Sequence, residues 1–170
     1  MPYLIDGHNL IPKVPGLSLQ SIDDEMQLVA LLQEFCRLQR KEASVYFDNA
    51  PPGQPQSGKF GLVTAYFIRS GMTADQAIRN RLRRLGREAP NWTVISSDRA
   101  VQEAARMARA QVVPSEAFSR LLVQTLHTSS AVRGKNLRAG RQQTGQPEAP
   151  LSSTEVDEWL RIFSEGKDEP

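Results

Sequence analysis

The sequence predicts an α/β fold with a mostly parallel central sheet. Segments typical of strands and of helices alternate along most of the chain, which is the pattern of a parallel sheet with helical crossovers. In addition, three short apolar runs each end at an aspartate, namely Asp6, Asp48 and Asp98. Short apolar runs are typical of buried parallel strands, and open sheets of this kind bind ligands beyond the carboxyl ends of their strands.

The composition indicates one globular domain with an appendage. The chain has 170 residues, of which 39% are hydrophobic and 24% charged, and its formal net charge is +2. These proportions are those of ordinary globular proteins, and the length permits a sizeable core. Cys36 is the only cysteine, which excludes an intramolecular disulfide and a cysteine-based zinc site. Because the first residues show neither a signal peptide nor a membrane span, we expect a cytoplasmic protein.

The first part of the chain predicts two strands separated by a helix. Residues 3–6 form a short apolar strand, and prolines make residues 7–20 a loop. Apolar side chains recur at helical spacing over residues 23–41, which predicts an amphipathic helix. Residues 44–48 are the second strand. The segment 49–61, rich in proline and glycine, is predicted as a loop without regular structure.

The middle of the chain repeats the strand–helix pattern twice. Residues 62–68 are rich in β-branched and aromatic side chains, which predicts a third strand. A capping box opens a predicted helix over residues 73–87. Residues 92–96 form a fourth strand, and Ser97 is the predicted N-cap of a helix over residues 98–109.

The last part of the chain predicts three units. Residues 111–113 and 115–127 give a final strand and helix, which complete a domain at residues 1–128. Residues 129–150 are rich in Gly, Ser, Gln and Arg, which predicts a flexible basic linker. A C-terminal amphipathic helix is predicted at residues 151–165. Its apolar face, which we expect to dock on the same domain, consists of Val156, Trp159, Leu160 and Phe163.

Aspartates gathered at one edge of a sheet suit a divalent cation. Carboxylates packed together repel one another, and Mg²⁺ and Mn²⁺ prefer carboxylate oxygens as ligands. A cation held there would bind a phosphodiester and lower the pKa of an attacking water. Asn9, close to Asp6, offers both a donor and an acceptor that could hold a carboxylate or a phosphate oxygen.

Each aspartate also has a simpler interpretation. Asp75 and Asp98 lie at predicted helix starts, where the helix dipole stabilises a carboxylate, and Asp75 could pair with Arg79. Asp6 and Asp48 could begin turns. Haloacid-type phosphatases and response-regulator receivers also carry aspartates at this edge, but the further acids of their patterns are missing.

Four segments resemble a known family when taken in order and with their spacing. They are Tyr3-Leu4-Ile5-Asp6-Gly7-His8-Asn9-Leu10, Val45-Tyr46-Phe47-Asp48-Asn49-Ala50, Thr73-Ala74-Asp75 and Val94-Ile95-Ser96-Ser97-Asp98. Together they resemble the NYN domain, a branch of the PIN-like nuclease superfamily, and in particular its bacterial YacP-like group. The likeness runs from about residue 2 to about residue 126, so that the linker and the C-terminal helix lie outside it.

The resemblance implies a PIN-like three-layer α/β/α sandwich and metal-dependent cleavage of RNA. By position, it implies that Asp6, Asp75 and Asp98 bind the metal, that Asn9 supports them, and that Asp48 is a further acid of the site. The implied cofactor is Mg²⁺ or Mn²⁺. Since members of the group are associated with ribosomes and act on mRNA, the implied partners are mRNA and the ribosome. We expect no membrane partner, because the sequence contains no transmembrane run.

The main hypothesis is therefore a metal-dependent endoribonuclease. Basic residues agree with an RNA substrate, since eight arginines face four acids between residues 74 and 109, and residues 131–146 are basic without any acid. The candidates for RNA contact are Arg79, Arg83, Arg99, Arg133, Lys135 and Arg138. An alternative of another class is an RNA- or ribosome-binding module with little or no catalysis. Only the resemblance favours RNA over DNA.

Overall fold

The computed structural model describes residues 1–138 apart from residues 18, 20, 21, 51, 52, 54 and 70. Its strands are β1 (Tyr3–Asp6), β2 (Ala43–Phe47), β3 (Ser57–Phe60), β4 (Val63–Phe67), β5 (Thr93–Ile95) and β6 (Gln111–Val113). Its helices are α1 (Gly7–Leu10), α2 (Ile22–Gln39), α3 (Ala74–Leu85), α4 (Arg99–Met107) and α5 (Ser115–Arg138). Short 3-10 helices follow α1 and α3, at Ile11–Lys13 and Gly86–Asn91.

The strands that the structure describes form one sheet in the order β3-β4-β2-β1-β5-β6. Every neighbouring pair is parallel except β3 with β4, which is antiparallel at one edge. The predicted α/β class with a mostly parallel sheet is thereby confirmed. Strand β1 lies between β2 and β5, which places its carboxyl end in the middle of the sheet edge.

Helices cover both faces of the sheet and create two cores. Successive strand residues face opposite sides, so that Ile5 packs in the core under α2 and α5, whereas Leu4 packs in the core under α3 and α4. Phe35 of α2 and Phe118 of α5 meet edge to face in the first core, with ring centroids 5.2 Å apart. Ile78 of α3 is fully buried in the second core. The result is the expected three-layer arrangement of helices, sheet and helices.

Two predicted loops contain regular structure. Residues 7–20 begin with α1, because the chain turns directly from β1 into a helix at Gly7, which lies against the Phe47 ring without room for a side chain. The segment 49–61 contains β3. This strand escaped prediction because Ser57, Gly58 and Lys59 lack the side chains typical of strands, and its stability comes from the antiparallel hydrogen bonds to β4.

The start of α4 and the end of α5 also differ from prediction. The prediction that Ser97 caps α4 is wrong, because Asp98 is the N-cap. Helix α5 does not end near His127 but continues to Arg138, so that residues 129–138 of the predicted linker are helical. Those residues contain no proline, and the Ser130 hydroxyl donates to the Leu126 carbonyl oxygen inside the helix at 3.1 Å. Polar composition alone therefore did not stop the helix.

The remaining predictions on chain organisation fall outside the described residues. These are the rest of the linker, residues 139–150, and the C-terminal helix at residues 151–165. In the part of the chain that the structure describes, no helix is long and apolar enough to cross a membrane.

Candidate functional site

The sheet brings three of the predicted acids to one edge. Asp6 ends β1, while Asp48 follows β2 and Asp98 follows β5, the two strands that flank β1. The carboxyl ends of parallel strands meet at the same edge, so these side chains start from neighbouring positions. Asp75 follows no strand and lies in the first turn of α3.

Asp6 is the buried acid of this edge. Its residue is only 8% exposed, and its carboxylate accepts hydrogen bonds from the Ser96 hydroxyl, at 3.3 Å, and from the backbone N–H of Asn9. Burial, followed by the negative charges of Asp48 and Asp98, raises the pKa of Asp6 to about 6. The ionised form of Asp6 is therefore electrostatically unfavourable beside these two acids, which is the situation that a bound cation relieves.

Ser96 connects the first acid to the last. Its fully buried side-chain oxygen donates to Asp6 Oδ2 and accepts the backbone N–H of Asp98 at 3.1 Å. One hydroxyl thus links the Asp6 carboxylate to the backbone of Asp98. Ser96 was not among the predicted site residues, although its hydroxyl, directly after the apolar strand β5, is a local signal for such a role.

Asp98 is held by the helix that it caps. Its Oδ1 accepts the backbone N–H groups of Ala100 at 2.9 Å and Val101 at 3.1 Å. The residue is exposed, and the cap occupies one of the two carboxylate oxygens. The simpler interpretation of Asp98 as a helix cap is therefore present in the structure, and it leaves Oδ2 available to a ligand.

Asp48 lies against the start of α3. Its Oδ1 accepts the backbone N–H of Ala74, the first residue of that helix, where the helix dipole stabilises negative charge. Its own backbone N–H donates to His8 Nδ1 at 3.2 Å. The site therefore joins the loop after β2 to both α1 and α3.

His8 is more closely tied to this site than the sequence suggested. Its Nε2 lies 2.7 Å from Glu25 Oε1 in α2, and its ring lies 5.6 Å from the Phe47 ring between centroids. The hydrogen bond with Glu25 is the main cause that raises the pKa of His8. Sequence reasoning treated His8 as an ordinary loop residue, because its partner comes from a distant helix and no local pattern reveals it.

Asn9 supports the site through its neighbours. Its Oδ1 accepts the backbone N–H of Ser97 at 2.7 Å and the Ser115 hydroxyl at 2.6 Å. Asn9 reaches Asp6 through its backbone N–H, and its side-chain oxygen ties the end of β1 to the start of α5. This geometry gives Asn9 a part in positioning the segment from Ser96 to Asp98.

Asp75 forms an ion pair with Arg79 one helical turn further on. That pair is the simpler interpretation considered from the sequence. The second oxygen, Asp75 Oδ1, is buried and has no hydrogen-bond partner among the described residues. Asp75 therefore combines one neutralised oxygen with one unsatisfied oxygen, and a buried unsatisfied carboxylate oxygen is a suitable cation ligand.

Glu116 is an acid near this edge that the sequence analysis missed. It accepts the Ser97 hydroxyl and lies 3.1 Å from the Lys13 ammonium group. The hydrogen bond from Ser97, followed by that from a backbone N–H, lowers the pKa of Glu116 to about 2. Across the described part of the chain, no group of three or more His, Cys, Asp and Glu side chains is already arranged to hold a metal ion.

The predicted basic residues divide into two sets. Arg79 and Arg83 lie on α3 and line a groove between α3 and α4, whereas Arg99 is exposed at the first position of α4. The other set, whose side chains lie outside the described part of the structure, belongs to the last turns of α5 and consists of Arg133, Lys135 and Arg138.

The structure defines the class of the protein as a three-layer α/β domain with acids at the carboxyl ends of neighbouring parallel strands. A comparison with family models identifies the member: the chain matches the model of the YacP-like NYN domain over residues 3–164, and it belongs to that family. This match extends through the predicted linker and most of the predicted C-terminal helix, so the expectation that both lie outside the family likeness is wrong.

Two solved structures share the fold. The crystal structure of Rae1 (YacP) from Bacillus subtilis is 20% identical, with a TM-score of 0.66, and the alignment covers 98% of this chain and 94% of that one. A mutant of the same Bacillus protein, in which leucine replaces one tryptophan, is 19% identical, also with a TM-score of 0.66, over 95% and 91% of the two chains. No curated protein sequence matches the chain significantly.

Proposed function

We propose that this protein is an endoribonuclease that uses Mg²⁺ or Mn²⁺ to hydrolyse phosphodiester bonds of RNA. The observation that carries the proposal is the buried Asp6 carboxyl, whose pKa is raised to about 6 by burial and by the charges of Asp48 and Asp98. Strongly shifted pKa values of this kind cluster at functional sites. The fold alone would not support a nuclease over other activities.

The acids offer the oxygen ligands that Mg²⁺ and Mn²⁺ prefer. Mg²⁺ is usually held by one or two carboxylates together with water and phosphate oxygens, so a complete set of protein ligands is not required. Asp6 and Asp98 would hold the ion, with Asp75 contributing its unsatisfied oxygen and Asp48 as a further acid. When bound, the ion would lower the pKa of a water and stabilise charge on the phosphate. Asn9 would keep the segment from Ser96 to Asp98 in place.

The finer points of the proposal depend on the family. Membership in an RNA-related family supports RNA as substrate, and the resemblance further suggests mRNA, the ribosome as partner and a cytoplasmic location. The arginines of α3 and α4 would contact the phosphate backbone, with a contribution that weakens as the salt concentration rises. The proposed phosphate contacts are the basic residues that the sequence indicates: Arg79, Arg83, Arg99, Arg133, Lys135 and Arg138.

The test is a cleavage assay on the double variant Asp6→Asn, Asp98→Asn. We expect the wild-type chain to cut a labelled single-stranded RNA in Mn²⁺ or Mg²⁺ and to lose this activity in EDTA. The double variant should be inactive in either metal while its circular dichroism spectrum stays that of the wild type. Glu103→Gln is the matched control, since Glu103 is an exposed acid further along α4. Cleavage by the double variant at the wild-type rate would exclude the assignment.

A second candidate is an RNA- or ribosome-binding module with little catalysis. It is favoured by the lack of a preformed group of metal-holding side chains among the described residues and by the ion pair that occupies Asp75. The same assay distinguishes the two, provided that it is run on free RNA and on translating ribosomes. Binding without cleavage of either substrate in Mn²⁺ would favour the module.

A further inference from the structure

A groove lies between the second half of α3 and the end of α4. Its volume is about 370 Å³. It is lined by Arg79, Leu82 and Arg83 of α3, by Gly86 after that helix, by Ala104 and Met107 of α4, and by Ala108, which follows α4. Pockets for small ligands range from roughly 300 to 1,000 Å³. The groove is thus at the lower end of that range, with room for one planar group such as a nucleobase.

The chemistry of the lining suits a planar, partly apolar ligand. Leu82, Ala104 and Ala108 provide an apolar surface, and Arg83 is exposed beside it. The Met107 residue is 81% exposed, although it is apolar. A flexible thioether side chain adapts to the shape of a ligand, and unstacked bases of RNA pack on guanidinium planes.

Arg79 connects the groove to Asp75. It lines the groove and also forms the ion pair with Asp75. On the other side of the groove, α4 begins at its N-cap Asp98, and Ala104 follows after a helical rise of about 9 Å. A short stretch of single strand with its phosphate at the acidic edge can therefore reach the groove with a base.

The charge of the surrounding surface favours a polyanion over an apolar peptide as the occupant. Between residues 74 and 109, which include both helices, eight arginines face four acids. We propose that this groove binds one unstacked base of the RNA strand whose backbone lies at the acidic edge. The proposal rests on the proposed function insofar as the strand is RNA, and it adds a base-binding site that is separate from the metal-binding acids.

The test measures binding in EDTA, so that the strand stays intact. The probes are a short fluorescent single-stranded RNA and a series of the same strand with one abasic nucleotide at each position in turn. Two variants address the groove: Met107→Ala removes its exposed side chain, and Ala104→Leu fills it. The matched control is Met26→Ala, since Met26 is an exposed methionine of α2, on the opposite face of the sheet.

We expect the wild-type chain to lose affinity when one particular nucleotide is abasic. Both groove variants should bind the intact strand about fivefold more weakly than the wild type does. On that abasic strand the variants and the wild type should have equal affinity, because the contact that the variants remove is already missing. Met26→Ala should bind like the wild type. Equal weakening on intact and abasic strands, no weakening at all, or no binding by the wild type would overturn the proposal. A chain that binds in this base-dependent way but never cleaves would refute the nuclease and leave the groove proposal standing.

Discussion

The substitution Asp6→Asn tests the electrostatic cost of the central carboxylate. Burial and neighbouring charges raise the pKa of Asp6 to about 6 in the folded chain, against about 3.9 for an aspartate in an unfolded chain. The folded state therefore binds the proton more tightly than the unfolded state. Protonation of Asp6 therefore contributes to the unfolding free energy in full below about pH 3.9. This contribution is lost as the pH rises towards and through 6, and the total loss is about 3 kcal/mol.

The neutral side chain of Asp6→Asn removes this dependence. Between pH 4.5 and pH 7, the unfolding free energy of the wild type should fall by about 2 kcal/mol relative to that of the variant. The variant should thus gain stability over the wild type as the pH rises. Urea unfolding of both chains in EDTA at the two pH values gives this difference, in which the titrating groups that do not interact with Asp6 cancel.

Two results of that experiment would contradict the proposed electrostatics of Asp6. A difference between wild type and Asp6→Asn that stays constant from pH 4.5 to pH 7 would refute the raised pKa of Asp6. If the pKa is raised, Mg²⁺ or Mn²⁺ added at pH 7 should stabilise the wild type more than the variant, because the cation compensates the charge of Asp6. An equal effect on both chains would argue against metal binding at Asp6.

Substitutions at three positions test the packing and capping around the site. Phe35→Ala should lower the unfolding free energy by about 3–5 kcal/mol, since the ring is fully buried against Phe118; a smaller loss in urea unfolding would indicate a core that repacks. Gly7→Ala should destabilise by about 1–3 kcal/mol, because the added methyl group would overlap the buried Phe47 ring, and an unchanged melting temperature would contradict the close contact. Asp98→Ala should cost about 1 kcal/mol through the lost cap, whereas Asp98→Ser should retain most of that stability. If Asp98→Ser is stable but inactive, the role of the carboxylate in activity is separate from its role as a cap.

The strands and most helices could be predicted because their signals are local. Apolar runs marked β1, β2, β4 and β5, and the capping box marked α3, whose Thr73 hydroxyl indeed accepts the Gln76 backbone N–H. Strand β3 and helix α1 could not be found in this way. Strand β3 depends on its antiparallel pairing with the neighbouring strand β4 and not on its own side chains. Helix α1 begins at Gly7, which lies against the ring of Phe47, a residue distant in sequence.

The site shows the same division between local and distant signals. The placement of Asp6, Asp48 and Asp98 at one edge follows from strand order alone. The connections that fix them are not local: Glu25 lies 17 residues from His8, and the Ser115 hydroxyl reaches Asn9 across 106 residues. A pattern of residue types cannot reveal such partners, because the fold alone brings them together.

The surroundings of the three edge acids differ in a way that identifies where a cation would matter most. Asp98 is stabilised by two N–H groups at the start of α4, and Asp48 by the first N–H of α3. Helix starts therefore compensate part of the charge of these two carboxylates without a metal. Asp6 lies between them with one hydroxyl and one backbone N–H as donors, and burial together with the charges of Asp48 and Asp98 raises its pKa. The uncompensated charge of the site is thus concentrated on the acid at the centre of the sheet edge, and metal affinity should depend more strongly on Asp6 than on Asp48 or Asp98.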